Sequence, residues 1–210
     1  MSAPTRDQVA DLYRHGVAAA RAVAGRFDPS DWDRPACGHW SGIETARHLL
    51  AVARWYHSWL DRALAGDSSR PFDGSDIDAR NELALAALDG MPGGQAVAEF
   101  ADAALSYLER AEANWDVPFG YPFGVVTVGL HCGAAASEWH LHAWDLSTVA
   151  PPLHRPGDAG LLFRAAGECV ARATGGLTGA VIGRLLPVGA RLSPWQTLLK
   201  RSGRRPDSTR

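Results

Sequence analysis

Cysteine is scarce in this chain: Cys37, Cys132 and Cys169 are widely spaced, odd in number and form no CxxC pair. That pattern argues against a disulfide framework and suits a reducing compartment. Charge of one sign is also missing. Lys+Arg (21) nearly balance Asp+Glu (23), and the net charge is −2. No basic stripe invites nucleic acid, and no acidic excess forces disorder. No apolar run approaches the roughly 20 residues that a membrane helix needs. The richest stretch, Val125 to Ala136, is broken by Gly129, His131 and Gly133, and the first residues, Met1 to Asp7, hold no apolar signal core. The expectation is a cytoplasmic protein without a membrane or nucleic-acid partner. Strand signals are few, with Val125-Val126-Thr127-Val128 the one β-branched cluster, and there are no internal repeats. GxSxG, P-loop, HExxH and post-strand GxGxxG motifs are all absent. Asp73-Gly74-Ser75-Asp76-Ile77-Asp78 lacks the Gly and Glu of a calcium loop and reads as a turn with a helix cap.

What is present is helical. The chain has 210 residues, 46% of them hydrophobic, enough for one domain with an appendage. Thr5-Arg6-Asp7-Gln8 is a capping box that starts a helix over about 6–26, and Ser41-Gly42-Ile43-Glu44 starts another over about 42–65. Asp28 to Gly38 and residues 66–75 read as loops from their turn residues, and a short helix is expected over 76–88. Val97, Ala101, Ala104, Leu108, Ala111 and Trp115 mark a third long helix, and Pro118 to Pro122 form a crossing segment. The fourth long helix spans about 124–149 and is stopped by Pro151-Pro152. Beyond it lie a helix at about 157–174, a Gly-rich stretch over 175–183, and a short helix opened by Ser193-Pro194. The fold class expected is all-α: a four-helix bundle over 1–150, a helical extension over 151–200, and a disordered basic tail over 201–210. Monomer and homodimer both remain open, since bundles often present an apolar outer face.

The chemistry concentrates in Ser137-Glu138-Trp139-His140-Leu141-His142-Ala143-Trp144-Asp145. Glu138 and His142 lie four apart, one above the other on a helix face. Val128, Cys132, Ala135, Trp139, His142, Leu146 and Val149 follow a 4-3-4-3 spacing, so His142 falls on a core seam. Alone, ExxxH is a weak motif, and a simple i,i+4 hydrogen bond explains the spacing. It does not explain why the pair sits on a buried face, where an imidazole needs a partner.

Among the eight histidines, His48 is the best third ligand, two turns beyond the Ser41 cap. His57 lies about 13 Å further along that helix, and His131 about 10 Å from Glu138. His131 is placed on an access route, and His140 points away from Glu138. Two His and one Glu leave a fourth position of Zn²⁺ open, which is the catalytic arrangement. Mn, Fe, Co or Ni would accept the same donors. Asp145, three residues past His142, is a candidate to orient that imidazole or touch substrate. Glu44 is a capping carboxylate with a smaller claim to the same role. Trp40, Trp55, Trp139 and Trp144 are candidates to wall a pocket beside the ion.

Two segments carry a resemblance: Trp32-Asp33-Arg34-Pro35-Ala36-Cys37-Gly38-His39-Trp40-Ser41 with Ala46-Arg47-His48-Leu49-Leu50, and Glu138-x-x-x-His142-x-Trp144-Asp145. Together, over about 5–150, they resemble the mycothiol-dependent maleylpyruvate isomerase N-terminal domain of the DinB-like superfamily. The likeness extends loosely through Asp78-Ala79-Arg80-Asn81, and Leu198-Leu199-x-x-x-Gly203-Arg204 matches an ending found in some relatives. Gly38-His39 stands where the family has Pro-Gly, and Ile43-Glu44-Thr45 where Val-Arg-Asp is commoner. The resemblance implies an up-down-down-up bundle and a divalent ion, usually zinc, on His48, Glu138 and His142. It also implies a low-molecular-weight thiol such as mycothiol as cosubstrate, acting on a small electrophile in S-transfer or isomerisation, with no nucleophile from the protein. The rival readings are a non-catalytic metal- or small-molecule-binding bundle and, more weakly, a metal-dependent hydrolase.

Overall fold

The computed structural model describes residues 3–173 and 192–205. Helix α1 (Arg6–Ala24) opens on the Thr5/Gln8 capping box and α2 (Gly42–Leu64) on the Ser41/Glu44 box, so both starts fall where the sequence signals them. Between them a hairpin joins β1 (Pro35–Cys37) to β2 (Trp40–Ser41) through Gly38, whose φ of 60° favours glycine. Then come α3 (Ile77–Ala86) and α4 (Gly93–Ala113). A second hairpin, β3 (Pro118–Tyr121) with β4 (Gly124–Thr127), leads into α5 (Val128–Val149). Helix α6 (Ala159–Ala173) and α7 (Pro194–Arg201) follow.

Helices α1, α2, α4 and α5 form the bundle, and side-chain contacts fix their directions. Along α2 and α4, Arg47 bonds the carbonyl of Met91, Arg54 pairs with Glu99 at 2.8 Å, and Arg110 pairs with Asp61 at 2.5 Å. Both numbers rise together, so these helices are parallel. Gly16 on α1 lies against Ala136 and Trp139 near the middle of α5, and Arg26, just past the end of α1, bonds the carbonyl of Ala150 at the end of α5. That pair is parallel too. Tyr56 on α2 meets His131 near the start of α5, while His48, nearer the start of α2, meets His142 further along α5. Helices α2 and α5 are therefore antiparallel, and with the two parallel pairs α1 is then antiparallel to α4. The course is up-down-down-up, the DinB-like arrangement. Parallel neighbours need long crossovers, which explains the excursion through α3 between α2 and α4.

The core lies between these helices. Trp139 is fully buried, with edge contacts to Tyr13 and Phe100. A Cβ on Gly16 would come within 2.8 Å of the Trp139 Cβ, so α1 approaches α5 this closely only with glycine there. All seven residues of the 4-3-4-3 seam on α5 are buried.

Three differences from the sequence expectations have local causes. The fourth helix starts at Val128 rather than about 124, because Gly124–Thr127 pair with Pro118–Tyr121, and the Thr127 side chain then caps Leu130 N. The expected crossing segment is therefore a strand, as is part of the first expected loop. The 201–210 tail does not begin as disorder: Arg201 closes α7, and residues 202–205 continue back over the bundle, where Arg204 is bonded. The Gly-rich stretch over 175–183 and residues 206–210 lie outside the described residues. No helix among the described residues is long and apolar enough to cross a membrane.

Candidate metal centre

The antiparallel packing of α2 on α5 brings His48 over Glu138 and His142. The Ser41 cap fixes the start of α2 and so the azimuth of His48, and α5 stacks Glu138 below His142. The Nε2 atoms of His48 and His142 lie 4.0 and 3.3 Å from Glu138 Oε1, and the imidazole centroids are 4.9 Å apart. The three donor atoms lie within 4.8 Å of one another. Both imidazoles are buried, while the Glu138 side chain is 40% exposed.

Behind the donors lies a charged support. His142 Nδ1 contacts Asp145 Oδ2 at 2.8 Å, so Nδ1 carries the proton toward the carboxylate and Nε2 is aimed at Glu138 and His48. Asp145 is 1% exposed and is held on its other side by Arg204, whose Nε donates to Oδ1 at 2.7 Å and whose Nη2 donates to Oδ2. Arg204 Nη2 also lies 3.7 Å from Cys37 Sγ in the β1–β2 hairpin. This is the carboxylate–histidine arrangement by which an outer group fixes the tautomer and orientation of a ligand imidazole.

Burial and partners set the protonation. Burial pushes His48 down, outweighing its hydrogen bond to Glu138. Burial would also lower His142, but hydrogen bonds to Asp145, Cys37 and Glu138 prevail and raise it well above the ordinary histidine value. Burial would raise Glu138, yet the two imidazoles hold it well below the carboxylate range. Asp145 is lowered in the same way by Arg204 and His142 against its burial. Without a metal the cluster is an imidazolium–carboxylate pair, and a divalent cation on the same donors would take the place of that proton.

A second trio, Cys37, His142 and Asp145, also lies within 4.8 Å. Its carboxylate is already neutralised by Arg204 and its imidazole nitrogen faces Asp145, so the open donor set is His48, Glu138 and His142.

That set forms one end of a 570 Å³ cavity. Trp40, Trp55 and His131 line it. Trp139 does not: it is core, because the α5 face that carries it turns toward α1. Trp144 is likewise buried away from the cavity. Glu44 is the helix cap, accepting from Ser41 N at 2.7 Å and Ser41 Oγ at 2.8 Å, and does not reach the cavity wall. His131 is buried with Nδ1 accepting from Tyr107 Oη at 2.8 Å, and burial lowers it to about 3. His140 bonds His154 and the carbonyl of Leu12, on the α1 side of its helix. His57 bonds the Ala103 carbonyl, and His39 is exposed beside Glu82. Sequence reasoning missed Arg204 as a site residue; its signal was the Gly203-Arg204 ending, set aside within a presumed tail. It also missed Cys37 and Asn81, whose neighbours are set only by tertiary packing.

The sequence model of the mycothiol maleylpyruvate isomerase N-terminal domain matches residues 9–147, which include the three donors and Asp145. No curated protein and no solved structure matches the chain.

Proposed function

The chain belongs to the mycothiol maleylpyruvate isomerase N-terminal domain family, and on that premise we propose that it is a metal-dependent enzyme using a low-molecular-weight thiol. Its reaction would be S-transfer to, or thiol-assisted isomerisation of, a small electrophile, with mycothiol the thiol that the family name suggests. The observation that carries the reading is the convergence of His48, Glu138 and His142 donor atoms within 4.8 Å at the end of a cavity. Two imidazoles and a carboxylate suit Zn²⁺ and leave an open position. A divalent ion held there would act as a Lewis acid, favouring the thiolate form of a bound thiol at neutral pH.

The chain's own part is to orient and to exclude water. Asp145 fixes the His142 tautomer so that Nε2 is free for the ion, and Arg204 fixes Asp145. Burial keeps His48 neutral and able to ligate. Glu138 supplies the one negative donor and keeps an exposed edge toward the cavity. The cysteines fit poorly as nucleophiles: Cys132 and Cys169 are buried, with thiols pushed up by burial, and Cys37 lies behind the ligands, beside Arg204.

Metal analysis of the purified chain tests the first step. Near-stoichiometric metal in the wild type and its loss in His48→Ala are expected; equal metal in both would refute the ligand set. If metal is bound, conjugation of a thiol to an electrophile should require both. Turnover with no thiol present would move the reading to a hydrolase, and metal without any turnover to a binding protein.

A further inference from the structure

The cavity beyond the donors is walled by rings. Trp55, Tyr56, Trp59, Tyr121 and Phe123 are among its lining residues, and its volume of 570 Å³ suits a small organic molecule. Among the described residues its charged side chains are Glu138, Arg204 and, without a metal, the His142 imidazolium, which is already paired with Glu138 and Asp145. The Arg204 charge is balanced by Asp145, which takes Nε and Nη2, and Nη1 donates to the Ser202 carbonyl at 3.3 Å. His131 is neutral, since burial lowers it to about 3. The described wall therefore offers a carboxylate no uncommitted cation away from the metal donors.

One polar group in this wall has no partner. Asn81, near the middle of α3, is 8% exposed, and its Oδ1 has no hydrogen-bond partner among the described residues. A buried carbonyl oxygen left unpaired is costly, and a donor on a bound molecule would relieve it.

We propose that this cavity selects a substrate with an uncharged aromatic or similarly flat apolar body carrying a hydrogen-bond donor, seated on the ring wall and anchored at Asn81. The inference deepens the enzymatic reading of the same site, because the reactive end of such a molecule would lie toward His48, Glu138 and His142. It runs against a dianionic substrate of the kind named in the family's title: an ion on the three donors could hold one carboxylate, but the ring wall would have to desolvate the second.

The test is equilibrium binding to the full chain without added thiol, as purified and after chelation, read by quenching of the tryptophans in the wall. The probes are benzamide, toluene and maleate, on wild type and Asn81→Leu. Benzamide should bind with or without metal and weaken about five- to tenfold in Asn81→Leu, the worth of one hydrogen bond to a neutral group. Toluene, which has no donor, should bind both proteins alike. Equal losses for toluene and benzamide would give Asn81 a merely structural role and overturn the proposal. So would maleate binding as tightly as benzamide, or no binding of either aromatic probe. Metal content is measured separately, so failure of the ligand set and failure of the aromatic wall give different results.

Discussion

Arg204→Met should loosen metal binding although Arg204 is not itself a ligand. Arg204 holds Asp145 through Nε at 2.7 Å and through Nη2, and Asp145 holds His142 Nδ1 at 2.8 Å. Methionine keeps the aliphatic stem and removes the guanidinium. Asp145, 1% exposed on its side chain, would keep only His142 as partner. Breaking one side of a buried pair commonly costs about 3–5 kcal/mol; with Arg204 itself 13% exposed, water entry at the protein surface should place the loss at the low end, about 3 kcal/mol. Losing outer support from a ligand imidazole typically weakens metal affinity by about 10–100-fold, or roughly 1.4–2.7 kcal/mol. Zinc competition titrations at pH 7.5 against a chromophoric chelator give the affinity, and urea unfolding of metal-free protein gives the stability. Arg204→Lys should recover part of the charge but not the two-pronged geometry, and should fall between. An Arg204→Met affinity within twofold of wild type, with stability intact, would refute the claim that this arm positions the centre.

Other perturbations follow from the same groups. Zinc binding at neutral pH should release protons, because His142 is raised and must lose its proton to ligate; affinity should then fall as pH drops, and calorimetry in buffers of different ionisation enthalpy would expose a pH-independent, proton-silent event as a refutation. Metal-free stability should decline on acidification below about pH 6.5. His131 is neutral when folded, with its value lowered to about 3, but takes a proton when unfolded, so the unfolded state binds more protons in that window and the loss is about 1.4 kcal/mol per pH unit from this residue alone. A flat urea midpoint between pH 6 and 4.5 would contradict that. Tyr107→Phe removes the donor to His131 Nδ1 and should cost about 1–3 kcal/mol in urea unfolding with little effect on zinc affinity. A chain cut after residue 150 should bind zinc more weakly than the full chain and expose apolar surface to a dye such as ANS; unchanged affinity and no dye binding would count against the role given to the C-terminal helices.

Most of the fold was legible because capping chemistry and 3.6-residue periodicity are local. The Thr5, Ser41 and Ser193 caps each name their helix start in four residues. The β3–β4 hairpin was not legible: Val125 to Thr127 read as the start of a helix with some β-branching, and only pairing with Phe119 and Gly120 decides between strand and helix. At the site, Glu138 and His142 could be seen as a pair because one helix sets their spacing, and His48 because its distance from a cap sets its height. Trp139 shows the limit. It is one residue from Glu138, so the choice between cavity wall and core depends on which side α1 packs, and that depends on Gly16 at a distance in sequence. Arg204 lies 59 residues from Asp145, beyond the reach of any periodicity.

That distance also bears on what counts as the functional unit. Residues 9–147 match the family and carry all three proposed donors, yet the group that locks Asp145 comes from outside them. Helix α6 covers α5 closely: a Cβ on Gly133 would approach the Ala165 carbonyl oxygen to 2.8 Å, and Leu162 and Cys169 are fully buried. Val170, on the same helix, reaches the cavity wall. The bundle therefore supplies the donors and their spacing, while the segment after residue 150 supplies the fixed orientation of His142 and part of the wall. If the three proposed donors hold an ion, no fourth protein donor stands with them among the described residues, and displacement of any one of them would open the site. Fixing His142 through Asp145 and Arg204 couples the geometry of the centre to the docking of the C-terminal helices, so that the cavity and the donor set are completed by the same contact.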